Sequence, residues 1–358
     1  MKEQRKKKWL LAVCMLFVSA ILIIVYRAGP GKKNTSYETG QSDTIYSFAM
    51  GTSVSVTLFG ADREAYADLE SEVKRLDTEV ISWRAEGSAL YKLNHTYVAG
   101  EAYIPEDELY TALRQAYRVC EDSDGALDIT LRPLASLWNI ESETDDTAFC
   151  VPEEQTIREA LAGTGYEKIV FDDENRTITV EESDMILDLG ALGKGFALDV
   201  LQQKLKERNI SGAVISVGGS ILVCGTKGNG EDFRVGIRNP KGAQDEMIGY
   251  LTFPEGSRMC ISTSGDYEKY KEKDGRRYHH ILDRESGYPA DAGLSSVTVV
   301  CESGLYSDAL STACFVLGIE KSLPLLEKYD AEAVFIDHDN NITVTQGLQE
   351  QFEGIKQE

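Results

Sequence analysis

A glycine-rich segment with a single lysine is the stretch whose residue types point most directly to chemistry. Positions 187–199 read LDLGALGKGFALD, and a short apolar run ends at Leu187. Apolar side chains then recur at helical spacing, at Phe196, Val200, Leu201 and Leu205. The pattern predicts a strand that passes through a glycine turn into a helix. Such a turn directs free backbone N–H groups and the positive helix end at an anion, most often a phosphate.

The same segment differs from both common nucleotide fingerprints. Lys194 precedes Gly195 rather than the Ser or Thr of a P-loop, and the sequence contains no G-x-G-x-x-G pattern. Tight packing of a helix against a strand also requires small residues. The turn is therefore a candidate anion site with a purely structural alternative.

Asp308 and Thr312 form a second candidate site. They are four residues apart in a segment with a helical pattern, so both side chains lie on one helix face. A carboxylate and a hydroxyl are hard oxygen ligands that suit Mg²⁺, which takes few protein ligands and completes its shell with water and phosphate. The alternative is an aspartate in the first helical turn beside a solvated threonine, and spacing alone favours this alternative.

A third candidate is the segment HHILD at 279–283, which is followed by SGYP at 286–289. It predicts a strand that ends in a turn, where His280 or Asp283 either accepts a proton or caps the turn. His279 and His280 are adjacent and point to opposite faces of a strand, so we do not expect both to bind one metal.

The elements that must hold these groups mix helices and strands without regular βαβ alternation. Predicted strands and hairpins lie at 50–58, 169–180, 213–224, 296–301 and 333–344. Amphipathic helices are predicted at 63–80, 106–121 and 305–317. This mixture predicts an α+β fold rather than a doubly wound sheet.

The start of the chain predicts a membrane anchor. Positions 2–8 contain five basic residues and one acidic residue, Glu3, and an uncharged apolar run of 18 residues extends from Trp9 to Tyr26. That length fits a short membrane-spanning helix better than the core of a cleavable signal peptide, which has about 7–15 residues. Cys14 would suit a lipoprotein, but Val13 stands where a small residue is usual.

The topology follows from the charges that flank this apolar run. The basic flank predicts an N-terminus inside the cell and a translocated remainder. We therefore expect a single-pass anchor at 1–27 and a flexible tether at 28–45, with the remainder of the chain at the membrane and extracytoplasmic.

The remainder of the chain is strongly acidic. Six of the 37 basic and one of the 59 acidic residues lie in 1–27, so 31 basic and 58 acidic residues remain, a net charge of −27. Such a surface repels nucleic acid, so any phosphate recognition has to be local. The six cysteines after the anchor are widely spaced and lack C-x-x-C, which predicts buried free thiols rather than disulfides or a zinc site.

Ten short motifs, taken in order, connect the candidate sites. They are MGT at 50–52, SAL-x-x-LN at 88–94, DGALDIT at 124–130, LW at 137–138, LDLGALGKGFALD at 187–199, ISVGGSI at 215–221, STSGDYE at 262–268, HHILD-x-x-SGYP at 279–289, SVTVV at 296–300 and SDALSTACFVLG at 307–318. The series resembles the ApbE family, the FAD:protein FMN transferases. The resemblance spans roughly residues 46–345 and leaves 346–358 as a polar tail.

The resemblance implies an activity and a set of site residues. Family members use Mg²⁺ to transfer the FMN half of FAD to a threonine or serine hydroxyl of a partner flavoprotein and release AMP. The implied fold is a mixed α/β domain with FAD between two closely packed lobes. The implied metal ligands are Asp308, Thr312 and the backbone carbonyl of Ala191. For Asp308 and Thr312, this role replaces the interpretation as a first-turn aspartate beside a solvated threonine. The implied FAD contacts are Met50, Arg84, Ala126, Leu127, Asp128, Asp188, Lys194 and Leu282, with Trp83 as an alternative stacking residue to Arg84.

The general base and the acceptor each have more than one candidate. His280 is the favoured base, and Asp283 or metal-assisted Asp308 are the alternatives. The expected acceptor is an exported or membrane flavoprotein with a D-x-x-[ST]-G-A-[ST]-like motif, because the nearest string in this chain, 283–289, departs from that motif. Two alternative functions are a Mg²⁺-dependent FAD pyrophosphatase and a non-catalytic exported flavin-binding protein.

Overall fold

The strands are short and mostly rich in valine, isoleucine and serine. The computed structural model describes residues 42–141 and 149–355. In chain order the strands are β1 (Ser42–Ala49), β2 (Thr52–Phe59), β3 (Ala102–Tyr103), β4 (Ile169–Asp172), β5 (Thr177–Val180), β6 (Gly212–Val217), β7 (Ser220–Gly225), β8 (Phe233–Arg238), β9 (Met247–Phe253), β10 (Arg258–Gly265), β11 (Tyr270–Lys273), β12 (Arg276–His279), β13 (Leu294–Cys301), β14 (Glu332–Asp337), β15 (Ile342–Val344) and β16 (Phe352–Gly354).

Eight helices lie in the described part of the chain. They are α1 (Arg63–Arg75), α2 (Ala89–Thr96), α3 (Asp107–Asp122), α4 (Arg132–Trp138), α5 (Glu154–Ala162), α6 (Gly193–Glu207), α7 (Gly304–Leu317) and α8 (Ile319–Lys328). A π-helical turn at Leu76–Val80 extends α1.

One antiparallel sheet of eight strands, in the order β1-β2-β6-β7-β10-β13-β14-β15, positions the rest of the fold. Helices α1, α6 and α7 pack on one of its faces, and the three-stranded sheet β16-β9-β8 packs on the other. Strand β13 is buried at all eight positions because both of its faces are covered. Its sequence is accordingly apolar or small throughout rather than alternating.

The mixed α/β architecture and most predicted elements are confirmed. The helices at 63–80 and 106–121 and the hairpins at 169–180 and 213–224 are present to within one or two residues at each end. Five of the six described cysteines are buried free thiols, and Cys150 is exposed.

The strand predicted before the glycine turn is absent. Residues 185–189 belong to no strand. Instead, the Asn94 amide donates to the Leu187 carbonyl and accepts from the Leu187 N–H, both at 2.9 Å. A side chain thus satisfies the backbone groups that a neighbouring strand would otherwise pair. Periodicity cannot distinguish this arrangement from a strand.

The predicted strand at 50–58 is also shorter than expected, because a tight turn occupies its start. Met50 and Gly51 have φ values of +53° and +68° and join β1 to β2 as a two-residue hairpin. Strand β1 begins at Ser42, so the last four residues of the predicted tether belong to the sheet.

The predicted polar tail at 346–358 is folded at its start. A short 3₁₀ turn at Gln346–Leu348 buries Leu348, and β16 pairs with β9. The folded region therefore extends to at least Gly354.

The predicted anchor at 1–27 and the tether as far as residue 41 lie outside the described residues. Among the helices of the described region, none combines the length and apolar character required to cross a membrane.

Helices α6 and α7 cross at a pair of glycines. A Cβ atom on Gly195 would overlap the carbonyl oxygen of Gly304, and a Cβ on Gly304 would overlap the carbonyl oxygen of Gly195. The obstructing atoms are backbone, which cannot rotate away as a side chain can. Small residues are required here because the two helix backbones are in contact.

We predict that Gly195→Ala destabilises the protein by about 2–3 kcal/mol through overpacking at this crossing. Gly163→Ala is the matched control, because a Cβ there meets only a carbonyl oxygen at 4.0 Å. Guanidinium unfolding followed by circular dichroism measures both variants. Equal stabilities of the two variants would contradict the close backbone contact.

Candidate active site

Helices α6 and α7 each contribute an aspartate that accepts hydrogen bonds from the N-terminal part of the other helix. From α6, Asp199 accepts hydrogen bonds at the start of α7, from the N–H groups of Gly304 at 2.6 Å and Leu305 at 2.9 Å. From α7, Asp308 Oδ2 accepts the N–H of Gly195 in the first turn of α6 at 2.9 Å. Each helix thus supplies a carboxylate to the other's unpaired N-terminal N–H groups. This exchange brings Asp308 to the end of the glycine-rich turn.

Lys194 completes the charge arrangement at this helix end. Its Nζ lies 3.5 Å from Asp308 Oδ2 and 3.5 Å from the Gly190 carbonyl oxygen. The turn before it is held by Asp188, whose Oδ1 accepts the Gly190 N–H at 2.8 Å. Burial raises the pKa of Asp188. Lysine, helix N-terminus and turn therefore converge on one point beside Asp308.

Hydroxyl groups connect α7 to the strand beneath it. Ser264 Oγ on β10 lies 3.1 Å from Thr312 Oγ1 and 2.8 Å from Ser311 Oγ. Thr312 therefore lies where α7 packs on the sheet, whereas the Asp308 carboxylate faces α6. Asp308 is the fifth residue of α7 and only 3% exposed, so it is not the first-turn aspartate of the alternative interpretation.

The residues present fit a magnesium ion. Asp308 Oδ1 and the Ala191 carbonyl oxygen accept no hydrogen bond from any described residue. No group of three or more His, Cys, Asp or Glu side chains that could hold a metal occurs in the described ranges. One carboxylate with neutral oxygens is the sparse, hard donor set that Mg²⁺ accepts.

A second cluster is centred on Trp83 and adjoins the turn through Asp188. The guanidinium of Arg132 stacks 4.0 Å from the centre of the Trp83 ring, and that of Arg84 lies 4.6 Å from it. Arg132 Nη1 is 3.5 Å from Asp188 Oδ2, and its side chain is only 11% exposed. Both residues proposed to contact the flavin ring, Trp83 and Arg84, therefore belong to one cation–aromatic wall.

His280 lies at the edge of this cluster. Its backbone N–H donates to the Lys269 carbonyl at 3.1 Å, and its ring Nδ1 lies 3.2 Å from the same oxygen. Because a carbonyl only accepts, Nδ1 carries the proton and Nε2 is left as the proton acceptor. Partial burial lowers the pKa of His280 to about 4, and Lys269 contributes to the decrease although Glu141 opposes it.

Comparisons with known proteins agree with this geometry. The sequence model of the ApbE family matches residues 50–335. The chain belongs to the ApbE family. The FAD:protein FMN transferase of Treponema pallidum (strain Nichols) is 33% identical over 302 residues, which cover 80% of this chain and 81% of that protein.

Two further ApbE comparisons cover more of the chain. The FAD:protein FMN transferase of Klebsiella pneumoniae (strain 342) is 30% identical over 309 residues, 84% of this chain and 92% of that protein. The crystal structure of the ApbE protein of Thermotoga maritima superposes with a TM-score of 0.76 at 31% identity, covering 87% of this chain and 99% of that one.

Some of the residues implied by the ApbE resemblance form hydrogen bonds with neighbouring protein groups. Asp128 is buried, and its Oδ1 accepts the N–H and the hydroxyl of Thr130, at 2.9 and 2.6 Å. Asp283 Oδ2 accepts the Ser286 hydroxyl at 2.8 Å, so Asp283 caps its own turn. This use makes Asp283 a weaker candidate base than His280.

The apolar candidates occupy different surroundings. Leu127 and Leu282 are buried in two separate core clusters, and half-buried Ala126 packs against the first of them. Met50, at the β1–β2 turn, donates its N–H to Asp77 Oδ2 at 2.7 Å. Its positive φ belongs to the two-residue β1–β2 turn, and the Asp77 carboxylate holds that turn.

Four residues of the candidate site were not predicted from the sequence, namely Asp199, Arg132, Glu141 and Lys269. Asp199 belongs to the glycine-rich motif, but an aspartate within a helical pattern usually faces solvent. Its N-cap role depends on a helix more than 100 residues away. Single-sequence patterns contain no signal for such contacts.

We predict that Asp199→Ala lowers the free energy of unfolding by about 2–4 kcal/mol, because the buried N–H groups at the start of α7 lose their acceptor. Asp62→Ala is the matched control, since Asp62 caps α1 by a single bond to the Ala65 N–H, and its loss should cost about 1 kcal/mol. Chemical denaturation of both variants checks the difference. Similar losses in the two variants would show that Asp199 contributes no more to the free energy of unfolding than an ordinary helix cap.

Proposed function

We propose that this protein transfers the FMN half of FAD to a threonine or serine hydroxyl of a partner protein and releases AMP. Relatives at 30% and 33% identity carry that activity in their names. The observation that carries the proposal is the convergence of Lys194, Asp308 and the N-terminus of α6 on one point. In a chain with a net charge of −22, this convergence supplies a local site for a pyrophosphate.

The residues of the chain bind and orient the donor. Lys194 and the first N–H groups of α6 would contact phosphate oxygens, and the turn held by Asp188 would approach the pyrophosphate through backbone. The wall formed by Trp83, Arg84 and Arg132 would pack against the flavin ring, with Met50, Leu282 and the segment 126–128 as further contacts. The donor would lie between the region of α6 and α7 and the region of Trp83.

Asp308, Thr312 and the Ala191 carbonyl would hold Mg²⁺. When bound, the ion neutralises phosphate charge and makes the pyrophosphate a better electrophile. Gly195 and Lys194 fix the orientation of the Asp308 carboxylate, and Ser264 fixes that of the Thr312 hydroxyl. Because these ligands are oriented before the donor reacts, the barrier is lowered without a covalent enzyme intermediate.

His280 is the proposed general base. Its Nε2 is the free acceptor because Nδ1 bonds the Lys269 carbonyl. The lowered pKa keeps the ring neutral at neutral pH, so that it is ready to take the proton of the acceptor hydroxyl.

The acceptor and the location of the reaction are part of the proposal. The partner would be an exported or membrane flavoprotein with a D-x-x-[ST]-G-A-[ST]-like motif. The N-terminal apolar run would place the catalytic domain on the outer side of the membrane, where tethering raises the effective concentration of donor enzyme and acceptor.

The first test replaces the charged metal ligand. Asp308→Ala should lower transfer by about 10²-fold or more, because it removes electrostatic stabilisation of about 3 kcal/mol. The assay incubates the protein with FAD, Mg²⁺ and an acceptor domain and records flavin fluorescence in a denaturing gel. Asp245→Ala, in an exposed turn, is the control. Normal transfer by Asp308→Ala at saturating Mg²⁺ would remove Asp308 from the site.

The second test uses pH. His280 is faced by Lys269, Glu141 and His279, and their combined effect with burial lowers its pKa to about 4. Protonation should therefore inactivate the base only near pH 4, and kcat/KM for transfer should be level through pH 6–7. His280→Asn should lower transfer by about 10²–10⁴-fold while FAD affinity changes by only a few fold. An inflection near pH 6.5, or a parallel loss of FAD binding, would contradict this role.

A further inference from the structure

Two aromatic side chains are left unpacked on strand β1, at the edge of the eight-stranded sheet. Tyr46 and Phe48 are 70% and 71% exposed, and they lie on the same side of the strand because they are two residues apart. Neither belongs to a hydrophobic cluster formed by the described residues. Large apolar side chains on an exposed edge strand favour aggregation unless something covers them. The two rings therefore mark a surface that contacts another component.

The sheet face that carries these two rings is uncharged. On the described strands β1, β2 and β6, the strand register places no Asp, Glu, Lys or Arg side chain on this face. Its other residues are small or apolar, namely Ser42, Thr44, Ser53, Ser55, Thr57, Phe59, Gly212, Val214 and Ser216. In a chain with a net charge of −22, this face lacks the carboxylates that would have to be desolvated against an apolar partner.

The protein itself covers the other part of the same sheet face. The sheet β16-β9-β8 packs over β7, β10, β13 and β14, and it reaches β2 at Phe59, whose ring centre lies 6.3 Å from that of Phe233. The residues paired with Tyr46 and Phe48 on β2 are Ser55 and Ser53. Because these neighbours are small, the two aromatic rings project beyond the surface around them.

Strand β1 is also the first described element after the predicted membrane anchor. The 14 residues of segment 28–41 separate that anchor from Ser42. A segment of this length spans at most about 50 Å when fully extended, and about 20 Å with the coil dimensions expected from its composition. Of the described elements, β1 is therefore the one that the connection ties directly to the bilayer. Aromatic side chains are enriched at the boundary between lipid and water.

We propose that the face of β1 and β2 that carries Tyr46 and Phe48 rests on the lipid surface of the membrane, with both rings at the boundary between lipid and water. This inference rests on the membrane anchoring that belongs to the proposed function. Because the face is uncharged, burial of the rings stabilises the contact, and a zwitterionic lipid surface is the partner that fits. Lys194 and Asp308 would lie away from the lipid, since α6 and α7 pack on the opposite face of the sheet.

Quenching of tryptophan fluorescence by brominated lipid tests the contact in the full-length protein. The tryptophans of the chain are Trp9, Trp83 and Trp138, and Trp9 begins the predicted anchor, so its quenching reports insertion. The protein is reconstituted in phosphatidylcholine vesicles with and without brominated phosphatidylcholine. Phe48→Trp should add emission that the brominated lipid lowers about twofold or more, because the ring would lie at the boundary of headgroups and acyl chains. This quenching should be equal at about 0.1 M and about 1 M salt, since no charge pair holds the contact.

Ile104→Trp is the matched control. Ile104 is 76% exposed and follows β3, whose sheet packs on the helix side of the central sheet, so the brominated lipid should not quench its added emission. Addition of Ser55→Asp to Phe48→Trp should remove most of the quenching, because Ser55 pairs with Tyr46 on the same face and a carboxylate there resists transfer to the lipid boundary. Equal quenching in Phe48→Trp and Ile104→Trp, or quenching that Ser55→Asp leaves unchanged, would overturn the proposal.

The same measurement separates the lipid contact from the anchoring. Quenching in the unmodified protein without further quenching in Phe48→Trp would support the anchor and reject the contact. Quenching that appears only with Phe48→Trp would support the contact and reject the anchor, and no quenching in either protein would reject both. The transfer reaction does not enter the measurement, so a failure of the transferase function would leave these outcomes unchanged.

Discussion

The exchange of carboxylates between α6 and α7 is the constraint on which the site depends. Asp199 on α6 accepts a hydrogen bond from the N-terminus of α7, and Asp308 on α7 accepts one from the first turn of α6. The exchange requires the two helix backbones to touch, which only the Gly195–Gly304 pair allows. The same contact that packs the core thereby delivers the Asp308 carboxylate to Lys194 and to the glycine turn.

This arrangement explains how an acidic protein can bind an anionic donor. At the candidate site, cations lie at one helix end, where Lys194 stands, and around Glu141, where Arg84, Arg132 and Lys269 meet. Burial of Asp308 and the absence of hydrogen-bond donors to its Oδ1 within the described ranges leave an oxygen for a cation. The lysine and the aspartate proposed to bind the donor and the metal thus lie on α6 and α7, which pack on the central sheet.

The sequence predicted much of this arrangement, and the failures have physical causes. Apolar periodicity located the helices, since burial of one face leaves a repeat in the sequence. Motif order identified the family, which the comparisons confirm, and Asp308 and Thr312 as metal ligands stay a prediction from that resemblance. The segment before Leu187 was wrongly predicted as a strand because a side-chain amide from Asn94 replaces a strand partner. The contact between Lys269 and Glu141 joins residues 128 positions apart, which no local pattern encodes.

Transfer and hydrolysis use the same donor and the same metal, so the fate of FMN decides between them. The most direct measurement incubates the full-length protein with FAD, Mg²⁺ and a hydroxyl-bearing acceptor domain, and quantifies AMP together with the intact mass of the acceptor. Transfer predicts one AMP for each acceptor molecule that gains FMN, with little free FMN. AMP accompanied by an equal amount of free FMN and an unmodified acceptor would contradict the transferase function and identify a pyrophosphatase.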